Sequence, residues 1–195
     1  MKFSHVNLCL GSASPRRAEL LRQIGVNFEV CIADIDETLR ENESPDQYVT
    51  RMAVEKAQRV WQINRGTPLA GLPVLAADTA VVLGQQVMGK PVDRDQGLVM
   101  LTALSGRTHE VLTAVSLQVG ERQSSRLSRS RVTFTDLDEA DISRYWDTGE
   151  PSDKAGAYAI QGKAAVFIES LQGSYSGVMG LPLFEVGQLL DEMEI

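Results

Sequence analysis

The sequence predicts an α/β fold in which a mixed, twisted sheet is flanked by helices. Two observations carry this. Over the first half of the chain, short apolar runs alternate with amphipathic stretches, the pattern of strand–helix–strand units. Further on, strand-like stretches follow one another across tight turns at Gly84 and Gly120, the pattern of hairpins. A sheet assembled from both kinds of connection mixes parallel and antiparallel pairs.

Taken in order, residues 6–10 form a short, mostly apolar strand. Ser14 is a good helix N-cap, Pro15 suits the first helical position, and Ala18, Leu21 and Ile24 recur at helical spacing before Gly25. Arg16 and Arg17 lie in that first turn, where a cation opposes the helix dipole at a cost of about 0.3–1 kcal/mol each. An anion bound at the helix N-terminus would turn this penalty into attraction; solvated arginines are the equal alternative. Residues 28–33 read as a strand that runs into Asp34-Ile35-Asp36-Glu37-Thr38. Ser44-Pro45-Asp46-Gln47 is a capping box opening a long helix to about residue 61, which carries Lys56. Residues 72–83 are the strongest strand, interrupted by Asp78-Thr79. A turn and a short return strand at 87–88 lead to Gly89-Lys90-Pro91. Asp93 and Gln96 form a second capping box, for a helix ending near 105–106. Residues 108–119 alternate cleanly, with Val111, Thr113, Val115 and Leu117 on one face. They pair through a turn near Gly120 with a strand at 129–134. A helix at 138–146 stops at Gly149. Residues 157–160 and 164–168 read as strands flanking Gln161-Gly162-Lys163, and a helix over 183–193 closes the fold.

The 195 residues suffice for a sizeable core and favour one domain, residues 1–195. A net charge of −7 argues against the broad positive surface that nucleic acid requires, yet leaves room for a small phosphorylated ligand met by a local basic cluster. No apolar run is long enough to span a bilayer, and no basic-then-apolar segment opens the chain. Cys9 and Cys31 are too few for a disulfide framework and lack zinc spacing, so reduced thiols in a cytoplasmic protein are expected.

Asp78 is the most informative residue. Its neighbours from Val74 to Leu83 demand burial, and a carboxylate among them costs several kcal/mol unless it is paired, metal-bound or at a cleft. A general base or metal ligand is the functional reading; a carboxylate bonded to backbone at a bulge is the structural one. Gly84 to Lys90 has the spacing of a Walker A loop, but Pro91 replaces the hydroxyl residue and forbids the helix start. Asp138-Glu139-Ala140-Asp141 spells a helicase motif without its phosphate loop and reads as an acidic first turn. The serious rival is Asp34-Ile35-Asp36-Glu37-Thr38-Leu39, which resembles the opening of a haloacid-dehalogenase phosphatase, with Asp34 as nucleophile and Asp36 as acid/base. His5 and His109 have no partner at recognisable spacing and are assigned structural roles.

Together, Ser12-Ala13-Ser14-Pro15-Arg16-Arg17, Asp36-Glu37-Thr38, Glu55-Lys56-Ala57, Ala77-Asp78-Thr79, Gly89-Lys90-Pro91, Leu104 to His109 and Asp153 to Gly162 resemble the Maf family of nucleoside triphosphate pyrophosphatases over nearly the full chain. The resemblance implies two lobes around a central cleft, a homodimer, and cleavage of a nucleoside triphosphate to monophosphate and pyrophosphate with Mg²⁺ or Mn²⁺. It implies Ser14 and Arg17 on the triphosphate, Lys56 and Lys90 neutralising its charge, Asp78 as general base, and Glu37 with Asp78 as metal ligands. Arg16, Thr79 and Gln161 match members acting on dTTP and UTP, with modified pyrimidine triphosphates within reach, as house-cleaning of the nucleotide pool. A non-catalytic nucleotide-binding regulator of septum formation is the remaining alternative.

Overall fold

The computed structural model describes residues 2–195. In chain order it contains β1 (Asn7–Leu10), α1 (Pro15–Gln23), β2 (Asn27–Val30), α2 (Pro45–Asn64), β3 (Val74–Leu83), β4 (Gln86–Met88), α3 (Arg94–Leu104), β5 (Thr108–Val119), β6 (Arg122–Phe134), α4 (Glu139–Trp146), β7 (Ile168–Gln172), α5 (Tyr175–Val178) and α6 (Leu183–Glu192). The strands form one sheet in the order β2-β1-β3-β5-β6-β7, with β4 also on β3. β1 runs parallel to β2 and β3, and every pair from β3 onward is antiparallel. The sheet is therefore mixed, as the two kinds of connection require.

β3 is the central strand, and its alternation organises the core. On one face, Leu75 and Ala77 pack with β1, α1 and α6, whereas Val81 packs with α3, α4 and the end of β6. On the other face, Val74 and Ala76 meet Ala57 and Val60 of α2, and Ala80 and Val82 meet Val49 and Ala53. Each face thus carries two apolar clusters with one polar residue between them: Thr79 on the first face, Asp78 on the second. The period of two makes the break fall at the same level on both sides of the sheet. This divides the molecule into two lobes.

Five local readings are corrected. The strand before Phe134 begins at Arg122, not near 129. The Ser/Arg composition of 123–131 has weak strand propensity, but continuous pairing with β5 and ion pairs of Arg126 with Glu192 and Arg129 with Asp46 and Glu110 override it. Residues 157–160 and 164–168 are not a pair of strands. Gly156 and Ala157 have φ of 65° and 58°, and residues Lys163–Phe167 form a 3₁₀ turn whose first N–H groups go to Glu150 instead of a neighbouring strand. β2 ends at Val30 rather than at 33, and α2 continues to Asn64. The Ser44 capping box closes in full, whereas the Gln96 side chain accepts from the Val92 N–H and not from Asp93.

His109 confirms a structural role. It is buried, its Nε2 lies 2.8 Å from the Tyr158 hydroxyl, and its ring meets Phe134 edge-on. Nδ1 has no partner among the described residues, so a second ring proton would find no acceptor. Burial pushes the imidazole down to about 4. The unfolded chain takes this proton near pH 6.5 and the native protein only near pH 4. The stabilisation is complete above 6.5 and is lost as pH falls through that window, with a slope of about 1.4 kcal/mol per pH unit. His109→Gln should remove this slope from the urea-unfolding free energy measured between pH 6.5 and 4. An unchanged slope would assign the acid sensitivity to other groups.

Candidate active site

The site begins as a gap in the sheet. β1 stops pairing with β3 at Leu75, where the Gly11 N–H donates to the Leu75 carbonyl at 2.7 Å. β4 takes up the same edge of β3 only from Val81, while β5 occupies the opposite edge throughout. Residues 76–80 therefore have an open edge, and a cleft of about 690 Å³ lies against it. That volume suits a small-molecule ligand.

Arg17, from the first turn of α1, enters this gap. Its Nη1 donates to the Ala77 carbonyl at 2.8 Å and to Ser12 Oγ at 3.0 Å, Nη2 to Thr79 Oγ1 at 3.2 Å, and Nε to the Gly180 carbonyl at 2.7 Å. The Ala77 carbonyl would otherwise lack the strand partner that a buried backbone group demands. Thr79 Oγ1 lies 3.0 Å from Thr113 Oγ1, and Thr113 donates to the Gly177 carbonyl at 2.8 Å. Since that bond uses the only proton of Thr113, Thr79 donates to Thr113 and accepts from Arg17. Burial lowers the Arg17 pKa, with the Asp78 charge opposing that shift.

On the other face, Lys56 Nζ projects from α2 and lies 2.7 Å from both Asp78 Oδ1 and Glu37 Oε1. Asp78 is only 13% exposed in its side chain, and burial raises its pKa despite Lys56 and Arg17. Glu37 comes from the irregular segment after β2, which α2 holds at two points. Tyr48 donates its hydroxyl to the Glu37 carbonyl at 3.1 Å, and burial pushes this phenol up to about 12. Arg51 donates to the Thr38 carbonyl at 3.0 Å and forks onto Glu43 at 2.5 and 2.7 Å, holding that carboxyl down at about 2.

The sequence-nominated residues thus share one cleft, in two states of commitment. Arg17, Thr79, Lys56, Asp78 and Glu37 are bonded to one another or to backbone. Ser14, Arg16, Lys90 and Gln161 also line the cleft, and their side chains have no hydrogen-bond or ion-pair partner among the described residues. Ser14 is the N-cap of α1, but its hydroxyl makes no capping bond and stays free. Asp34 lines the cleft on the segment after edge strand β2, while Asp36 Oδ1 accepts from the Thr38 N–H at 2.9 Å. Lys154, quoted above only within a motif, faces the cleft with 12% of its side chain exposed and pairs with Asp153. Ser12, quoted above only within a motif, and Thr113, quoted only on a strand face, have no role in the sequence reading, since each is a small polar residue beside a strand or in one. Their only signal is polarity at positions that prove buried.

The donor set suits a hard divalent cation. Lys56 takes one oxygen each of Glu37 and Asp78, and Glu37 Oε2 and Asp78 Oδ2 have no hydrogen-bond partner among the described residues. Two carboxylates with substrate phosphates and water form a usual Mg²⁺ environment. Among the described residues, no group of three or more His, Cys, Asp or Glu is arranged to hold a metal without such help.

Four of the five N–H groups of Arg17 are bound within the protein, so its loss should be felt in stability. Arg17→Lys replaces a planar fork with a point charge and strands the Ala77 or Gly180 carbonyl. Urea unfolding should show a loss of about 2–4 kcal/mol. Wild-type stability in this variant would mean that the guanidinium is not a structural bond of the gap.

The chain matches the model described as "Maf-like protein" over residues 7–193. A dTTP/UTP pyrophosphatase of Alkalilimnicola ehrlichii is 56% identical over 97% of this chain and 94% of its own length. Proteins of the same name from Pseudoalteromonas atlantica and Xanthomonas euvesicatoria are 50% and 53% identical, over 96% and 94% of this chain and 97% and 96% of their own lengths. Among solved structures, the Staphylococcus aureus Ham1 protein superposes with a TM-score of 0.53 over 96% of this chain and 98% of its own, at 10% identity, and so shares the fold. No helix among the described residues is long and apolar enough to cross a membrane. On its sequence, the chain belongs to the Maf family.

Proposed function

We propose that this protein hydrolyses dTTP and UTP, and modified pyrimidine triphosphates of similar shape, to the monophosphate and pyrophosphate, cleansing the nucleotide pool. The observation that carries the reading is the convergence of Lys56, Asp78 and Glu37 at the gap in the sheet, facing unpartnered Ser14, Arg16 and Lys90. The relatives' shared name supplies the substrate class.

The triphosphate binds along the start of α1, where free backbone N–H groups and the Ser14 hydroxyl donate to phosphate oxygens. Lys90 and Lys154, which line the same cleft, add charge. Arg17, committed to the protein by four bonds, contributes its charge and a single remaining N–H. A water attacks the α-phosphorus, the bond to the bridging oxygen breaks, and pyrophosphate departs. Asp78 takes the water's proton: each carboxylate oxygen carries two lone pairs, so Lys56 on Oδ1 leaves acceptor capacity for the proton beside a metal on Oδ2. Burial makes this carboxylate a stronger base than an exposed one, which brings it closer to its task. Glu37 and Asp78 would hold Mg²⁺ or Mn²⁺, which supplies neutralisation of phosphate charge when bound. The protein's own groups carry positioning and charge stabilisation, the two demands of phosphoryl transfer.

The phosphatase alternative has less footing, because Asp36 is engaged by the Thr38 backbone and Asp34 follows an edge strand without a cationic partner among the described residues. The reading treats residues 1–195 as one catalytic domain working as a cytoplasmic homodimer; light scattering on the purified protein checks the dimer.

Incubation with UTP and Mg²⁺ should yield UMP and pyrophosphate, and in ¹⁸O-water the label should enter UMP alone. Label in pyrophosphate would move the attack to the β-phosphorus. Asp78→Asn should reduce turnover by roughly 10²–10⁴-fold with triphosphate binding retained, while Asp34→Asn stays near wild type. The reverse pattern would restore the phosphatase reading.

A further inference from the structure

Gln161 stands on a segment without regular secondary structure, between two 3₁₀ turns, Ala155–Ala157 and Lys163–Phe167. A side chain that selects a base must be held to within a fraction of an ångström, and loops hold side chains less well than helices or strands. What holds this one is visible in the hydrogen bonds on either side of it. Before Gln161, the Ala159 N–H donates to the Tyr145 hydroxyl at 3.2 Å. After it, the N–H groups of Lys163 and Ala164 donate to Glu150 Oε2 and Oε1 at 3.0 and 3.4 Å. The Tyr145 hydroxyl in turn donates to Glu150 Oε1 at 2.8 Å, closing the two anchors into one.

The pair is itself fixed. Tyr145 is buried in the second lobe's core at the end of α4, with its ring edge-on to Phe167. Glu150 opens the 3₁₀ turn Glu150–Asp153 just beyond α4. The turn closes tightly over the carboxylate: a Cβ on Gly162 would lie 2.2 Å from Glu150 Oε2. Neither residue lines the cleft, and neither touches Arg17, Lys56, Asp78 or Glu37.

We propose that Tyr145 and Glu150 are positioning residues for base selection, clamping the backbone on both sides of Gln161. The proposal rests on the reading of Gln161 as the base-contacting residue. Uracil presents an acceptor at O4 beside a donor at N3, which one amide complements through its NH₂ and carbonyl. Cytosine presents the reverse pattern, and an amide on a loosened turn can rotate to match it. Loosening the clamp therefore erodes discrimination between the two bases while sparing the phosphate end.

The test compares kcat/KM for UTP and CTP in wild type, Tyr145→Phe, Glu150→Gln and Gln161→Ala, with the Ki of inorganic tripolyphosphate as the probe that has no base. Tyr145→Phe keeps the ring in its packing, so it folds even if Glu150→Gln does not. Expected is a roughly threefold to tenfold fall in the UTP:CTP ratio in Tyr145→Phe and Glu150→Gln, with the tripolyphosphate Ki unchanged. A wild-type ratio in Tyr145→Phe, with a reduced one in Gln161→Ala, overturns the clamp alone. A wild-type ratio in Gln161→Ala overturns the reading of Gln161, and the clamp with it. A tripolyphosphate Ki that weakens in step with the UTP loss makes the pair a general support of the cleft and also overturns the proposal.

Discussion

The structure depends on what happens where β3 loses its neighbour. A central strand whose edge lies open between residues 76 and 80 exposes backbone groups that would be costly if buried without partners. Arg17 fills the opening with a planar cation, bonding the Ala77 carbonyl, Ser12, Thr79 and the Gly180 carbonyl. One side chain thereby joins α1, β3 and the segment following α5. The site is a consequence of that repair: the gap admits a ligand, and the group that makes the gap tolerable also charges it positively.

The same break explains how a buried carboxylate is tolerated. Asp78 and Thr79 occupy the two faces of β3 at the level where the apolar clusters of the two lobes separate. Neither interrupts a packed layer; each lies between layers. Lys56 is placed likewise on α2, among Ala53, Ala57 and Val60, so that its ammonium meets Asp78 at the waist. Breaking such a pair by removing one partner is costly, whereas forming it stabilises little, so its value is better sought in chemistry than in folding.

Much of this was legible in the sequence, and the reasons are specific. Alternation along 108–119, the Ser44–Gln47 capping box and a lone Asp in an apolar strand are local signals, and local signals survive in the fold. The failures involve partners far away in the chain. Polar residues 122–128 become a strand because β5 pairs with them, and residues around Gln161 fail to become strands because Glu150 takes their N–H groups. Arg17 was legible as a cation at a helix start, but not as the bond of the sheet gap, because its acceptors at Ala77 and Gly180 lie about 60 and 163 residues on.

The two ends of the cleft are built by different means, and this has a chemical logic. The end proposed to hold the phosphates is framed by regular elements, the start of α1, the middle of β3 and one face of α2, with Glu37, Lys90 and Lys154 added from segments outside them. Phosphoryl transfer is common to every nucleoside triphosphate, so rigid placement costs nothing in generality. The end bearing Gln161 is an irregular turn hung from a tyrosine and a glutamate of the other lobe. A turn held by a few side-chain bonds can be re-aimed by one or two substitutions without moving β3 or α2. On the proposed roles, the waist set by Asp78 and Thr79 separates the turn that would select the base from the groups that would act on the α-phosphorus, so that one could be re-aimed without moving the other.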